Sequence, residues 1–137
     1  MQHSLLYVSK SMLPPATANE VARQIASESV NANRSKGITG ALIFTGSHFA
    51  QIIEGERLAV DELIAAIQQD ARHTELKIAE RMDIEQRRFS DWSMAYMGPS
   101  QFVSRQVLQL LDQSNAERTY RAAKWMSDLM AEFSNSI

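Results

Sequence analysis

Apolar positions along the chain switch between a period of two and a period near 3.6, and the switches mark out its elements. Leu5 to Ser9 alternates as a strand, with Leu5, Tyr7 and Ser9 on one face and Leu6 and Val8 on the other. Pro14 and Pro15 end it. Thr17 followed by Glu20 has the form of a capping box, and Val21, Ala22, Ile25, Ala26, Ser29 and Ala32 then recur at helical spacing as far as Gly37. This predicts a helix over 18–34. Ala41 to Thr45 and Phe49 to Glu54 read as two strands joined by a short turn at Gly46, an antiparallel hairpin that Gly55 closes. Val60, Leu63, Ile64 and Ile67 make an i, i+3, i+4, i+7 stripe and predict a second helix over 58–69. Glu75 to Met82 and Trp92 to Met97 predict two further strands. Beyond Gly98 and Pro99, Phe102 to Leu111 predicts a helix, and a second capping box, Ser114 with Glu117, opens another over 116–133.

The order strand, helix, hairpin, helix, strand is a split βαβ unit. The expected fold is α+β and ferredoxin-like: the first and third strands are neighbours, two helices cover one face of the sheet, and two C-terminal helices are added. Ala122, Met126, Leu129, Met130 and Phe133 give the last helix an apolar stripe for the sheet's other face or for a partner.

At 137 residues, 45% hydrophobic and 22% charged, the chain fits one compact domain with a single core that carries the function. A formal charge of −2 leaves no long basic surface, so direct nucleic-acid binding is not expected. No apolar run approaches the roughly 20 residues that span a bilayer, and Met1 to Tyr7 lacks the form of a secretion signal; a cytoplasmic protein without membrane association is expected. With no cysteine there is no thiolate nucleophile, disulfide or cysteine-ligated metal. His3, His48 and His73 fall at spacings that match no helical metal pair, so no metal is expected.

Chemistry enters where the pattern breaks. Gln51 shares a strand face with Phe49 and Ile53, and a buried amide without a partner costs about 1–3 kcal/mol. Tyr7, on the neighbouring strand, poses the same question, and the two can meet. They either satisfy each other and the backbone, as most buried polar groups do, or complete their bonding on the polar edge of a ligand. On the first helix Ile25, Ser29 and Asn33 follow at i, i+4 and i+8, an apolar groove ending in an amide that suits a flat heterocycle, although an Asn there also suits helix closure. Ile67 stands ready as an opposite wall or as core. Trp92 and Met94 alternate onto one strand face as packing material. Asp70, Arg72 and His73 form a charged cluster that either binds a phosphate at the cleft mouth or is solvated.

Taken together, the Tyr7 strand, Asn33 with Gly37-Ile38-Thr39-Gly40, Phe49-Ala50-Gln51 with Glu54-Gly55, Asp70-Ala71-Arg72-His73 and Phe89-Ser90-Asp91-Trp92-Ser93-Met94 resemble the BLUF family over Leu5 to Tyr96. The resemblance implies a non-enzymatic blue-light sensor that holds FAD, or FMN or riboflavin, non-covalently between the two helices and the sheet. By position, it makes residues 1–98 the sensor domain and 99–137 a helical extension that serves as dimer or partner surface. It implies that Tyr7 donates an electron and a proton to the flavin and that Gln51 bridges the tyrosine hydroxyl to the ring. Asn33 would bind the pyrimidine edge, Ile25 and Ile67 would sandwich the ring, and Ser29, Phe49, Arg72, His73 and Met94 would complete the binding set. A rearranged Gln51 would disturb the last strand through Met94 or Trp92. Many members carry a polar or basic residue immediately before the Asn33 position, where this chain has Ala32, so one contact is missing. The expected output is binding, by a homodimer or higher homo-oligomer, to a separate downstream effector. An enzyme and a colourless interaction module share the fold as alternatives. The first needs a base or nucleophile in the cleft, and the second an impaired Tyr7, Gln51 or Asn33.

Overall fold

The computed structural model of the chain describes residues 2–89, 92–94, 101–112 and 114–135. The elements follow as β1 (Gln2–Ser11), α1 (Ala18–Arg34), β2 (Thr39–Phe44), β3 (His48–Gly55), α2 (Arg57–Gln68), β4 (His73–Ile84), β5 (Trp92–Met94), α3 (Gln101–Leu111) and α4 (Ala116–Asn135). One sheet runs in the order β4-β1-β3-β2-β5. Its first four strands pair antiparallel, and β5 joins β2 in parallel. The predicted ferredoxin-like α+β arrangement therefore forms, with β1 and β3 adjacent in its interior.

Strand alternation divides the apolar residues into two layers. Leu5, Tyr7, Leu42, Phe49 and Ile53 point to the face covered by α1 and α2, where they meet Ala22, Ala26, Val60 and Ile64. Leu6, Val8, Ile43 and Ile52 point to the opposite face, where they pack on Leu110 of α3 and on Ala122, Met126 and Met130 of α4. The α4 stripe is thus buried by the chain's own sheet, Met126 and Met130 completely. Of the two uses open to the stripe, the sheet's other face is the one it takes, because the back of the sheet is an apolar face that itself requires covering. Phe133 lies outside the residues whose side chains are described.

Several predicted boundaries move. Thr17 makes no side-chain capping bond among the described residues: at φ −121° and ψ 3° it lies outside the extended backbone region from which a cap reaches the first turn. The cap of α4 is Asn115, whose Oδ1 accepts the Arg118 N–H at 3.0 Å, rather than Ser114, whose own N–H donates to Asp112. β4 extends past its predicted limits of Glu75 and Met82 at both ends, from His73 to Ile84, because its partly exposed edge residues show no clean alternation. Ala95 to Met97, predicted to continue β5, lie outside the described residues, as does the boundary at 98.

Two glycines place the site. Gly37, at φ +68°, ends α1 in the left-handed region, and the Ile38 N–H returns to the Asn33 carbonyl at 3.0 Å. This fixes Asn33 on the last turn. A Cβ on Gly40 would stand 1.9 Å from the Ile52 carbonyl oxygen, so only glycine lets β2 lie this close to β3.

Candidate functional site

Between the sheet, α1 and α2 lies a cavity of about 290 Å³, at the small end of ligand clefts, which span roughly 300–1,000 Å³. Tyr7 of β1 and Gln51 of β3 are direct cross-strand neighbours on its floor. Asn33 of α1 lines it as well. These three residues are 4%, 6% and 4% exposed. Among the described residues, the Tyr7 hydroxyl and the two amides have no side-chain hydrogen-bond partner, although they are nearly buried. Among the described residues the fully enclosed unpartnered side-chain atoms are Gln2 Oε1 and Ser127 Oγ, so the polar atoms of these three open onto the cavity, where a ligand can complete them.

The apolar walls come from Ile25 on α1, Ile67 on α2 and Phe49 on β3. Ser29 also lines the cavity, but its hydroxyl donates back to the Ile25 carbonyl at 2.7 Å, the habit of a helical serine. A slot with apolar walls and a polar floor fits a flat heterocycle whose edge alternates donors and acceptors.

The mouth is charged but internally balanced. Arg72 forks onto Asp70, with Nη2 at 2.6 Å and Nε at 3.0 and 3.1 Å, and its Nη1 lies 3.9 Å from Glu28. Hydrogen bonds from Arg72 hold the Asp70 carboxyl below its usual range, and the same pairing raises Arg72. A phosphate would have to share Arg72 with two carboxylates. Both ring nitrogens of His73 are engaged, Nε2 donating to the Ile67 carbonyl at 2.6 Å and Nδ1 meeting Ser9 Oγ at 2.7 Å. His73 therefore ties the end of α2 to β1 and wedges edge-on against Tyr7 and Phe49, at centroid distances of 6.1 and 6.3 Å. Burial pushes the Tyr7 hydroxyl well above the usual tyrosine range; Asp70 adds to the rise and Arg72 opposes it. The phenol stays protonated.

The family model described as BLUF, sensors of blue light using FAD, matches residues 2–95. The chain belongs to the BLUF family. The dark-state structure of BlrB, a BLUF protein, is 36% identical, with 93% of this chain and 96% of that one covered at a TM-score of 0.69. BlsA in its photo-activated state is 25% identical, covering 96% of this chain and 95% of that one at a TM-score of 0.74. Photoactivated adenylate cyclase subunit beta of Euglena gracilis is 31% identical over 90 residues, 66% of this chain and 10% of that protein. The chain thus spans about a tenth of the length of that curated relative.

In this BLUF domain the cavity brings together Tyr7, Ile25, Ser29, Asn33, Phe49 and Gln51 from the predicted set, with Ile67, Arg72 and His73 toward the α2 end. The residues present fit a flavin. The side chains of Trp92 and Met94 lie outside the described residues, but the register is informative: Met94 pairs with Leu42, which pairs with Gln51, whereas Trp92 pairs with Gly40. Met94 is therefore the residue in the Gln51 row. Sequence reasoning missed Glu28, Lys36, Leu42, Leu63 and Ala66 as cavity lining. Glu28 and Leu63 lie three and four residues from Ile25 and Ile67, and Ala66 lies three from Leu63, which was signal enough for these three; Lys36, beyond the end of α1, and Leu42 carried no such signal. Among the described residues no helix is long and apolar enough to cross a membrane, and no group of three His, Asp or Glu is placed to hold a metal.

Proposed function

We propose that this chain is a non-enzymatic blue-light sensor whose photoswitch is Tyr7 and Gln51, acting on FAD, or on FMN or riboflavin with the same ring, held in the α1–α2 cavity. The observation that carries the reading is the set of three nearly buried polar side chains, Tyr7, Gln51 and Asn33, that share one cavity without a partner among the described residues. When bound there, the flavin supplies absorption of blue light and, once excited, an acceptor for one electron and one proton.

Tyr7 is the donor of both. Its burial keeps the proton on the oxygen in the dark, so the phenol has both an electron and a proton to give, and both return, and the cycle balances. Gln51, opposite Tyr7 in the ladder, accepts at one end of its amide and donates at the other. Turning or tautomerising that amide exchanges donor for acceptor toward the ring and shifts the absorption to the red. Asn33 binds the polar edge of the ring, and Ile25 and Ile67 hold its faces. Ser29 and Phe49 complete the slot, Arg72 and His73 shape its mouth, and Met94, with Trp92 two residues before it, receives the change through the row shared with Gln51.

In this reading residues 1–98 are the sensor and 99–137 the extension that delivers output by contact with a separate effector. Self-association as a homodimer or higher homo-oligomer belongs to the same proposal, and sedimentation in the dark and under blue light checks it.

The deciding experiment is the visible absorption spectrum of the purified protein in the dark, under blue light and during recovery. A flavin spectrum that moves slightly to the red and returns is expected. A colourless or light-inert protein overturns the proposal in favour of an interaction module.

A further inference from the structure

The described part of β5 is held to β2 by three pairs, Gly40 with Trp92, Ala41 with Ser93 and Leu42 with Met94. A slip of one residue in this register would turn every side chain of β5 to the opposite face. What fixes the register therefore decides which residue stands in the Gln51 row.

The segment just before β5 is fastened by a set of hydrogen bonds from the middle of the sheet. Glu54, at the end of β3, is fully buried. Its Oε1 accepts the backbone N–H groups of Arg88 at 2.8 Å and Phe89 at 3.2 Å, and its Oε2 accepts Arg88 Nε at 3.2 Å. Arg88 Nη2 donates onward to Ser4 Oγ at 3.0 Å, and Arg87 Nη1 to Thr39 Oγ1 at 3.1 Å. Ser4 and Thr39 are the ladder partners of Glu54 on β1 and β2, so a single row across three strands grips residues 87 and 88. Phe89 follows directly, buried in the layer under α3 and α4. A buried carboxylate contributes little net stability even when paired, and the best-attested use of such a group is to fix register.

We propose that Glu54 and Arg88 form a clasp that sets the register of β5 on β2 and so puts Met94 in the Gln51 row. They are positioning residues for the photoswitch. The photochemical consequence rests on the sensor reading above, whereas the register does not, and the test separates the two.

The chain has no cysteine, so an introduced pair reports the register directly. In the protein as purified, Ala41→Cys with Ser93→Cys should cross-link on treatment with diamide, and Ala41→Cys with Met94→Cys should not. Adding Arg88→Gln should lower the first yield several-fold and raise the second. Glu54→Gln, which keeps the shape of the side chain, should do the same if Arg88→Gln fails to fold. Yields unchanged by either substitution overturn the clasp. Without the cysteines, Arg88→Gln should retain flavin but alter the size or recovery time of the light-induced shift, and an unaltered shift overturns the positioning role. A wild-type protein with no shift sinks the sensor reading alone, because the cross-link still decides the register.

Discussion

Tyr7 and Gln51 stand directly opposite each other in the β1–β3 ladder, and Leu42 and Met94 continue their row across β2 to β5. Antiparallel cross-strand neighbours on one face lie about 4.5–5.5 Å apart at Cβ, which puts Tyr7, Gln51 and Leu42 within reach of one another. The row starts at a phenol that burial keeps protonated and ends at Met94 on β5.

The roles given to that pair separate binding from switching. Tyr7→Phe removes one hydroxyl and Gln51→Leu one amide, while both keep the cavity filled. Each variant should purify yellow and lose essentially all of the light-induced red shift, read as a lit-minus-dark absorption difference. A normal shift in either one refutes its assignment.

Asn33 should behave in the opposite way. Its amide sits on the last turn of α1, 4% exposed, with no side-chain partner among the described residues. Removing a hydrogen bond of this kind costs about 0.5–1.5 kcal/mol, which is roughly two- to tenfold in dissociation constant. Asn33→Ala should therefore release flavin more readily in equilibrium dialysis yet keep the red shift in the fraction that stays bound. Unchanged affinity would remove Asn33 from the site.

The protonated phenol also gives stability a signature in alkali. The unfolded chain ionises Tyr7 near its ordinary value of 10, whereas the folded chain holds the proton to higher pH. Unfolding therefore releases a proton above pH 10, and stability from this group is fully present below that pH and declines above it. The slope for one proton is about 1.4 kcal/mol per pH unit. Urea denaturation at about pH 9 and about pH 11, either side of the unfolded value, should show a larger loss in the wild type than in Tyr7→Phe. Equal losses would mean that Tyr7 is not buried as described.

Much of the fold could be read from the chain because its signals are local. Two alternating strands around Gly46 and two helices with apolar stripes are written within windows of a dozen or so residues. The site was legible for a related reason: a glutamine and a tyrosine on apolar faces stand out against the pattern around them. What escaped depended on distant partners or on backbone angles. Thr17 and Ser114 both have the composition of a cap, but neither caps: Thr17 has the wrong torsions, and Asn115 takes the place beside Ser114. Glu54 looked like the polar end of a hairpin, and its partners lie 34 and 35 residues further on. His73 looked like a free ligand because nothing local shows that Ser9, 64 residues away, takes one of its nitrogens.

The apolar stripe of α4 had two possible uses in the sequence, and a stability measurement separates them. Met126 is fully buried in the layer formed with Leu6, Ile43 and Ile52 of the sheet. Truncating a buried methionine to alanine typically costs about 2–5 kcal/mol, through lost transfer energy and the cavity left behind. If α4 covers its own sheet, Met126→Ala should lower the urea midpoint and Tm of the protein at every concentration. If the stripe instead served a second chain, the loss would appear mainly as weaker association and would vanish on dilution. Denaturation at two concentrations roughly a hundredfold apart distinguishes them. A concentration-independent loss is expected, because the sheet's back face would otherwise leave Leu6, Val8, Ile43 and Ile52 open to water. It would also turn the search for a partner surface to the outward side of these helices, where Leu108 and Tyr120 are exposed.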